Sequence, residues 1–305
     1  MKIRKIYTIV ILSALLISIL FGTITVINNA NIQELKTSTA EYEDKVTGNE
    51  QTVSQLQQQT QEKQATKDVL QAEYNRLMKI EKYKTVPTAF LTFDDGPNAN
   101  TAQILDILKQ NNVTATFFVI AKQIEESETM KQVMRRTVEE GHTVAIHTYS
   151  HQYSTIYQSV DAYFEDLYKA QQIIKDVTGV DSKLVRLPGG TATAKSYCKK
   201  YSGSEDTFPQ IMKRLEEEGY TVSDWNIDTK DWESSTTVDG IISSVHRVAQ
   251  AWHDNNNGYR TALVLMHNWP KTVKFLPTMI NDLKNMGFVF ESMHPEEYAY
   301  VQRTS

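Results

Sequence analysis

One cysteine, Cys198, in a chain of 305 residues excludes an intrachain disulfide and any thiolate cluster for a metal. A metal bound here would need histidine and carboxylate ligands. The lone thiol is read as incidental. Excess basic charge is missing too: 32 Lys and Arg stand against 37 Asp and Glu, a formal net charge of -5, which gives no support to a nucleic-acid partner, for which a basic face is expected. Polymeric anions are disfavoured on the same ground. Between Asn31 and Lys84 there is no proline and one glycine, Gly48. The usual helix breakers are thus nearly absent from a strongly polar, Gln-rich stretch that includes QLQQQTQEKQ.

What is present first is an uncharged apolar run from Ile6 to about Ile27, preceded by the basic MKIRK. At roughly 20 residues it is long enough to span a bilayer, and its basic flank stays on the cytoplasmic side. A cleaved signal peptide is the rival reading. Its apolar region is usually about 7 to 15 residues and ends at a small-x-small site, which FGTITVINNANIQ does not offer. Residues 1–30 are therefore expected to be a cytoplasmic start plus a single-pass transmembrane signal anchor. Residues 31–84 are read as a polar helical stalk and 85–305 as a folded domain outside the cell. A heptad placed on Val53, Leu56, Thr60, Lys63, Lys67, Leu70, Tyr74 and Leu77 is apolar only at its ends. The stalk is expected to be a solvated spacer, with weak coiled-coil self-association as the minority use. KTVPT sets the boundary, because residues before proline avoid helical angles.

After Pro87, short runs rich in apolar or β-branched residues alternate with helix-like stretches. The runs are TAFLTF, TATFFVI, HTVAIH, KLVRLP, YTVSDWNI, TALVLMH and FVFES. The helices are expected at residues 101–111, 127–140, 159–178, 208–218, 237–253 and 272–286, several closing on a glycine: Gly141, Gly179, Gly219 and Gly287. This alternation predicts a parallel α/β fold, either an open doubly wound sheet or a closed barrel. It does not choose between them.

The polar residues that interrupt the pattern fall at the ends of predicted strands: Asp94 and Asp95 after FLTF, His147 and His151 after VAI, Arg186 after LV, Asp228 and Asp231 after WNI, and His267 after LVLM. In a parallel α/β fold these ends share one face, where ligands bind. Each has a plain reading: DDGP as a turn, the histidines of HTYSH as packing residues, His267 as a satisfied core histidine, and DTKDW as a capped loop with a packed Trp232. His147 and His151, four apart, share a face if their segment begins a helical turn. Arg186 inside an apolar strand needs a carboxylate partner, since an unpaired charge there is costly. Taken together, two histidines and two aspartates on one rim supply a His/His/Asp metal site with one carboxylate and one histidine to spare, the parts of a hydrolase.

TFDDGP, HTYSH, RLPGG, DTKDW and LMH stand in the order and spacing of the polysaccharide deacetylase family, and over roughly residues 85–298 the chain resembles carbohydrate esterase family four. The resemblance implies a distorted (β/α) barrel of about seven parallel strands, a divalent metal (Zn2+, with Co2+ as a substitute), and removal of N-acetyl groups from polymers of N-acetylglucosamine. It implies that Asp95, His147 and His151 hold the metal. Asp94 would take the proton from water, paired with Arg186. His267 would protonate the leaving amine with Asp231 raising its pKa and Asp228 as fallback. A backbone N–H near Gly189 would face the oxyanion, and Leu265 and Trp232 would line the acetyl pocket and sugar groove. The chain departs from the family at Ala145-Ile146, where many members have Gly-Asn, at Gly189, where Tyr is common, and at Asn268, where Asp is frequent. Peptidoglycan in the cell wall is the expected substrate. Other aminosugar polymers, chitin-like oligomers, an O-acetyl ester (for which His267 would be dispensable) and a catalytically idle glycan-binding scaffold are the alternatives. The polar segment TATAKSYCKKYSGSED after Gly190 is read as a substrate-facing loop or an idle insertion.

Overall fold

A computed structural model describes residues 2–255 and 261–295. The last residues of the expected 85–305 domain, 296–305, lie outside the described residues. The chain divides into two compact units, Met1–Glu73 and Tyr74–Ser305. Helix α1 runs over Lys2–Thr85 and stops at the Val86-Pro87 break that the sequence predicts. In the first unit it is long and apolar enough to cross a membrane. Further along, Val53, Leu56 and Leu70 are exposed.

In the second unit the elements follow as β1 (Thr88–Gly96), α2 (Thr101–Gln110), β2 (Thr116–Ile120), α3 (Ala121–Glu125), α4 (Glu128–Glu139), β3 (Thr143–Thr148), α5 (Tyr153–Ile156) and α6 (Val160–Thr178). Then come β4 (Leu184–Val185), α7 (Gly190–Ser202), α8 (Thr207–Glu217), β5 (Thr221–Val222), β6 (Ile227–Asp228), α9 (Val238–Asn255), β7 (Thr261–His267), α10 (Pro270–Asn285) and β8 (Val289–Phe290). Local chemistry explains the longer helices. Ser159 caps α6 by accepting the Ala162 amide, and Gly179 ends it at φ +76, an angle that costs glycine little. Ser127 caps α4 in the same way.

Seven strands lie in the order β5-β4-β3-β2-β1-β7-β6, and every pairing is parallel; β8 pairs with the start of β1 at Thr88 and Ala89, below the point where β2 joins it at Thr92. This is the distorted (β/α) barrel. Alternation along β1 separates two cores. Ala89, Leu91 and Phe93 pack outward under the helices, while Phe90 joins Tyr83, Phe118, Ala145, Leu184, Leu263 and Met293 inside the strand layer. Thr92 and Asp94 continue that interior row toward the C-terminal rim.

Two expectations are corrected. YTVSDWNI is not one strand: Thr221–Val222 pairs with β4 at one margin of the sheet and Ile227–Asp228 with β7 at the other. The change of partner falls between Ser223, whose amide still bonds the Val185 carbonyl after β4, and Asn226, whose backbone amide bonds the Leu263 carbonyl of β7 while its side chain donates to the Thr261 carbonyl and accepts the Leu263 amide. Likewise the segment after Gly190 is not a loop but α7. It buries Ala194 and Cys198 on one face and ends at Gly203 with φ +74. Ala, Lys and Tyr sustain a helix once that face is covered.

Candidate active site

Two adjacent aspartates on a strand should point to opposite faces. Here the register of β1 against β2 shifts between Asp94 and Gly96, and Asp95 takes φ +64. This bulge turns Asp95 to the same mouth as Asp94. A second shift, between Val119 and Ile120, skips His147 of β3: Val119 pairs with Ile146 and Ile120 with Thr148. The residues after it do not form the helical turn expected for HTYSH. His151 sits in a loop at φ +56, its amide bonded to Thr148 Oγ1, while Asp166 of α6 accepts the Tyr149 and Ser150 amides and the Ser150 hydroxyl. Left-handed backbone at two non-glycine residues is strain of the kind that clusters at functional sites.

These turns bring Asp95, His147 and His151 together, with one ligand atom from each lying within 4.8 Å of the others. Asp95 Oδ1 is 3.4 Å from His147 Nε2 and 3.2 Å from His151 Nε2, yet it is buried with no hydrogen-bond partner. Such an orphaned oxygen is costly unless something positive faces it. His147 Nδ1 donates to the Arg186 carbonyl at 2.7 Å, which leaves Nε2 as the free lone pair. Burial drives its pKa down to about 3, so the ring is neutral, as a ligand must be. The donor set fits a divalent cation with three protein ligands.

Asp94 and His267 are register neighbours on β1 and β7. Asp94 is 3% exposed and takes a hydrogen bond of 2.8 Å from Arg186 Nη1. Burial raises its pKa, opposed by the Arg186 charge. Arg186 is fully buried, and its fork also reaches Thr92 Oγ1 and the carbonyls of Ser223 and Asp224, with Phe118 beneath its guanidinium at 4.0 Å. The carboxylate partner demanded by the sequence is therefore Asp94. His267 pairs with Asp231 and not Asp228: Nδ1 lies 2.7 Å from Asp231 Oδ1, and Oδ2 accepts the His267 amide and the Thr272 hydroxyl. Asp228 accepts the Lys230 amide instead. Burial alone would lower the His267 pKa, but the bond and charge of Asp231, helped by Asp94 and Asp95, carry it up to about 9.

Leu265 is buried two residues before His267, beside Thr92, whereas Trp232 is 48% exposed. Trp269, which the sequence reading missed, is 39% exposed with its ring 5.9 Å from His267. Its only signal was an aromatic two residues past a strand-end histidine. Gly189 has φ +76, and a Cβ there would meet the Thr193 side chain at 2.7 Å. The backbone angle and the close approach of Thr193 thus favour glycine at this position.

Asn268 has a physical reason as well. Fully buried, it donates Nδ2 and its own amide to the Asp94 carbonyl, accepts the Thr101 hydroxyl, and offers its carbonyl to Asn98 and Asn100. A Cβ on Gly96 would stand 2.5 Å from Asn268 Nδ2, so glycine lets the loop close on it. An ionised aspartate side chain could not donate to the Asp94 carbonyl, which would keep only the backbone amide of residue 268. Asn268→Asp is expected to cost about 1–3 kcal/mol and to weaken zinc affinity by loosening the Asp94-Asp95 bulge. Urea unfolding and zinc titration check this, and unchanged values in both would remove the role.

The geometry first defines a class: a metal-dependent hydrolase site on the C-terminal rim of a parallel α/β barrel. Residues 81–202 match the family described as Polysaccharide deacetylase. YheN of Bacillus subtilis is 33% identical over 205 residues, which make up 67% of this chain and 66% of that protein. The crystallised catalytic domain of peptidoglycan N-acetylglucosamine deacetylase from Eubacterium rectale superposes with a TM-score of 0.62 at 29% identity, covering 72% of this chain and 94% of that domain. The polysaccharide deacetylase Bc1974 from Bacillus cereus does so at 0.56 and 30%, covering 70% and 96%. The chain belongs to the polysaccharide deacetylase family, carbohydrate esterase family four.

Proposed function

We propose that the chain removes N-acetyl groups from the N-acetylglucosamine residues of peptidoglycan, as a single-pass membrane protein with its catalytic domain outside the cell. The observation that carries the chemistry is the orphaned Asp95 Oδ1 between two histidine nitrogens, with Asp94 on one side and the His267–Asp231 pair beyond it. Likeness to the Eubacterium rectale deacetylase supports the substrate. The apolar N-terminal part of α1 supports the anchor, the polar remainder a spacer, and its scattered exposed apolar residues at most weak self-association.

Asp95, His147 and His151 would hold a divalent cation, zinc or cobalt, whose Lewis acidity polarises the amide carbonyl and acidifies water. Asp94 takes the proton as the water oxygen bonds to the carbonyl carbon, with Arg186 orienting the carboxylate. A backbone N–H at Gly189 donates to the developing oxyanion. His267 gives its proton to the nitrogen as the C–N bond breaks, leaving acetate and a free amine. Leu265 shapes the acetyl pocket, and Trp232 the sugar groove.

A proton donor must be protonated, so activity is expected to fall as the pH rises through about 9, the His267 value. Asp231→Asn removes the largest of the influences that oppose burial, leaving those of Asp94 and Asp95, so the basic limb should fall well below 9. A pH–rate profile of that variant with its limb still near 9 would take the acid role from His267. The whole reading is tested by acetate release from peptidoglycan and from N-acetylglucosamine oligomers, using the full chain in mild detergent with zinc. Release from the oligomers alone would point to a chitin-like substrate, and none from either, with zinc bound, to an idle glycan-binding scaffold.

A further inference from the structure

Helix α7 packs chiefly against α8 and α5, the short helix that follows His151. That packing builds a row of aromatic rings leading away from the metal-ligand cluster. Tyr153, two residues past His151, stands edge-on to the imidazole, with centroids 5.3 Å apart and planes at 84°. Tyr197 of α7 lies 4.9 Å from Tyr153. Tyr201, one turn further along, lies 5.6 Å from Tyr197, with the two rings parallel to within 8°. All three are half-buried. Lys200 Nζ stands 5.3 Å from the Tyr197 ring centroid and 4.9 Å from that of Tyr201.

Partial exposure together with an unbonded hydroxyl separates this row from the structural tyrosines of the same unit, among which Tyr163 also leaves its hydroxyl unbonded but is buried. Tyr149 bonds Glu125, Tyr157 the Pro188 carbonyl, Tyr168 Glu218, and Tyr220 Gln171. Among the described residues, the hydroxyls of Tyr153, Tyr197 and Tyr201 have no protein partner. A tyrosine that offers both a ring face and an uncommitted hydroxyl at a surface suits a ligand that is apolar on one side and hydroxylated at its edge. A pyranose ring is such a ligand. Trp269 is also exposed, with its ring beside His267. Exposed or half-exposed aromatic rings therefore stand beside both His151 and His267.

We propose that Tyr153, Tyr197 and Tyr201 form consecutive sugar-stacking subsites on the β3 and β4 side of the cluster, holding the N-acetylhexosamine residues that flank the one hydrolysed. The inference rests on the deacetylase reading above. It makes the enzyme a selector of chain length: Tyr153 engages the nearest neighbour, and the α7 tyrosines engage sugars that only longer chains possess.

The test compares acetate release from N-acetylglucosamine disaccharide and hexasaccharide by the full chain, its Tyr197→Ala and Tyr201→Ala variants, and the matching Tyr→Phe variants. For each alanine variant, KM on the hexasaccharide is expected to rise about tenfold, the worth of one aromatic contact, with kcat held. On the disaccharide the change should stay under about twofold, and the phenylalanine variants should keep most of the hexasaccharide affinity. Equal losses on both lengths, or none on either, would overturn the subsites while leaving the deacetylase reading standing. Should an alanine variant fail to fold, the wild type decides: kcat/KM that does not rise with chain length overturns the proposal. No acetate from either oligomer or from peptidoglycan would remove the deacetylase reading and this inference together.

Discussion

Asp94→Asn is expected to stop hydrolysis without releasing the metal. Loss of a general base lowers kcat by about 10²–10⁴-fold, and asparagine keeps an oxygen that can still accept from Arg186 Nη1, now 2.8 Å away. Asp95, His147 and His151 are untouched, so zinc content should match the wild type. His147→Ala should instead lose both, because it removes a ligand and leaves Asp95 Oδ1 with one nitrogen to face. Measuring kcat together with zinc stoichiometry separates the two variants. Equal metal loss in both would mean that the adjacent aspartates share one job.

Arg186→Met should be the most destabilising single change in the site. It leaves Asp94 buried without its cation, a loss of about 3–5 kcal/mol. It also strips partners from Thr92 and from the carbonyls of Ser223 and Asp224. Lysine is a poor substitute, since one ammonium cannot reproduce a fork with fixed directions. Urea unfolding gives the cost. A double-mutant cycle assigns it: adding Asp94→Asn to Arg186→Met should recover part of the loss, because the charge left uncompensated is gone. If the double variant is no more stable than Arg186→Met alone, the cost lies in the carbonyl contacts and not in the ion pair.

Much of this molecule could be read before it was seen, for a physical reason. Strand ends in parallel α/β folds share a rim, so residue type and position after an apolar run are enough to gather Asp94, Asp95, His147, His151, Arg186 and His267 into one neighbourhood. Helix ends were legible because glycine stops act locally, as at Gly179. The geometry within the rim was not legible. The bulges that turn Asp95 and His147 are defined by register against a neighbouring strand, which no local pattern carries. Nor could sequence show Asp166 holding the loop before His151, or Asn268 holding the Asp94 carbonyl, because both bonds join residues brought together only by folding. The division of YTVSDWNI between two margins of the sheet escaped for the same reason, since a strand is recognised by its run of side chains and not by its partner. Helix α7 was obscured by polarity. Its fully buried face is small, and the half-buried Tyr197 and Tyr201 that extend it look ordinary in a lysine-rich stretch.

The strand order leaves β5 and β6 at opposite margins with four residues, 223–226, running between them. Across that interval Arg186 reaches Thr92 and Asp94 of β1 on one side and two carbonyls of the connection on the other. The guanidinium works as a clasp where a closed barrel would have a further hydrogen-bonded ladder. The reacting groups are therefore unequal in what their loss would entail. Asp95 and His151 fasten little else, so a descendant could discard either and persist as a sound, sugar-holding shell. Arg186 differs: its loss alone would strip contacts from Thr92, Asp94 and two carbonyls of the connection at once.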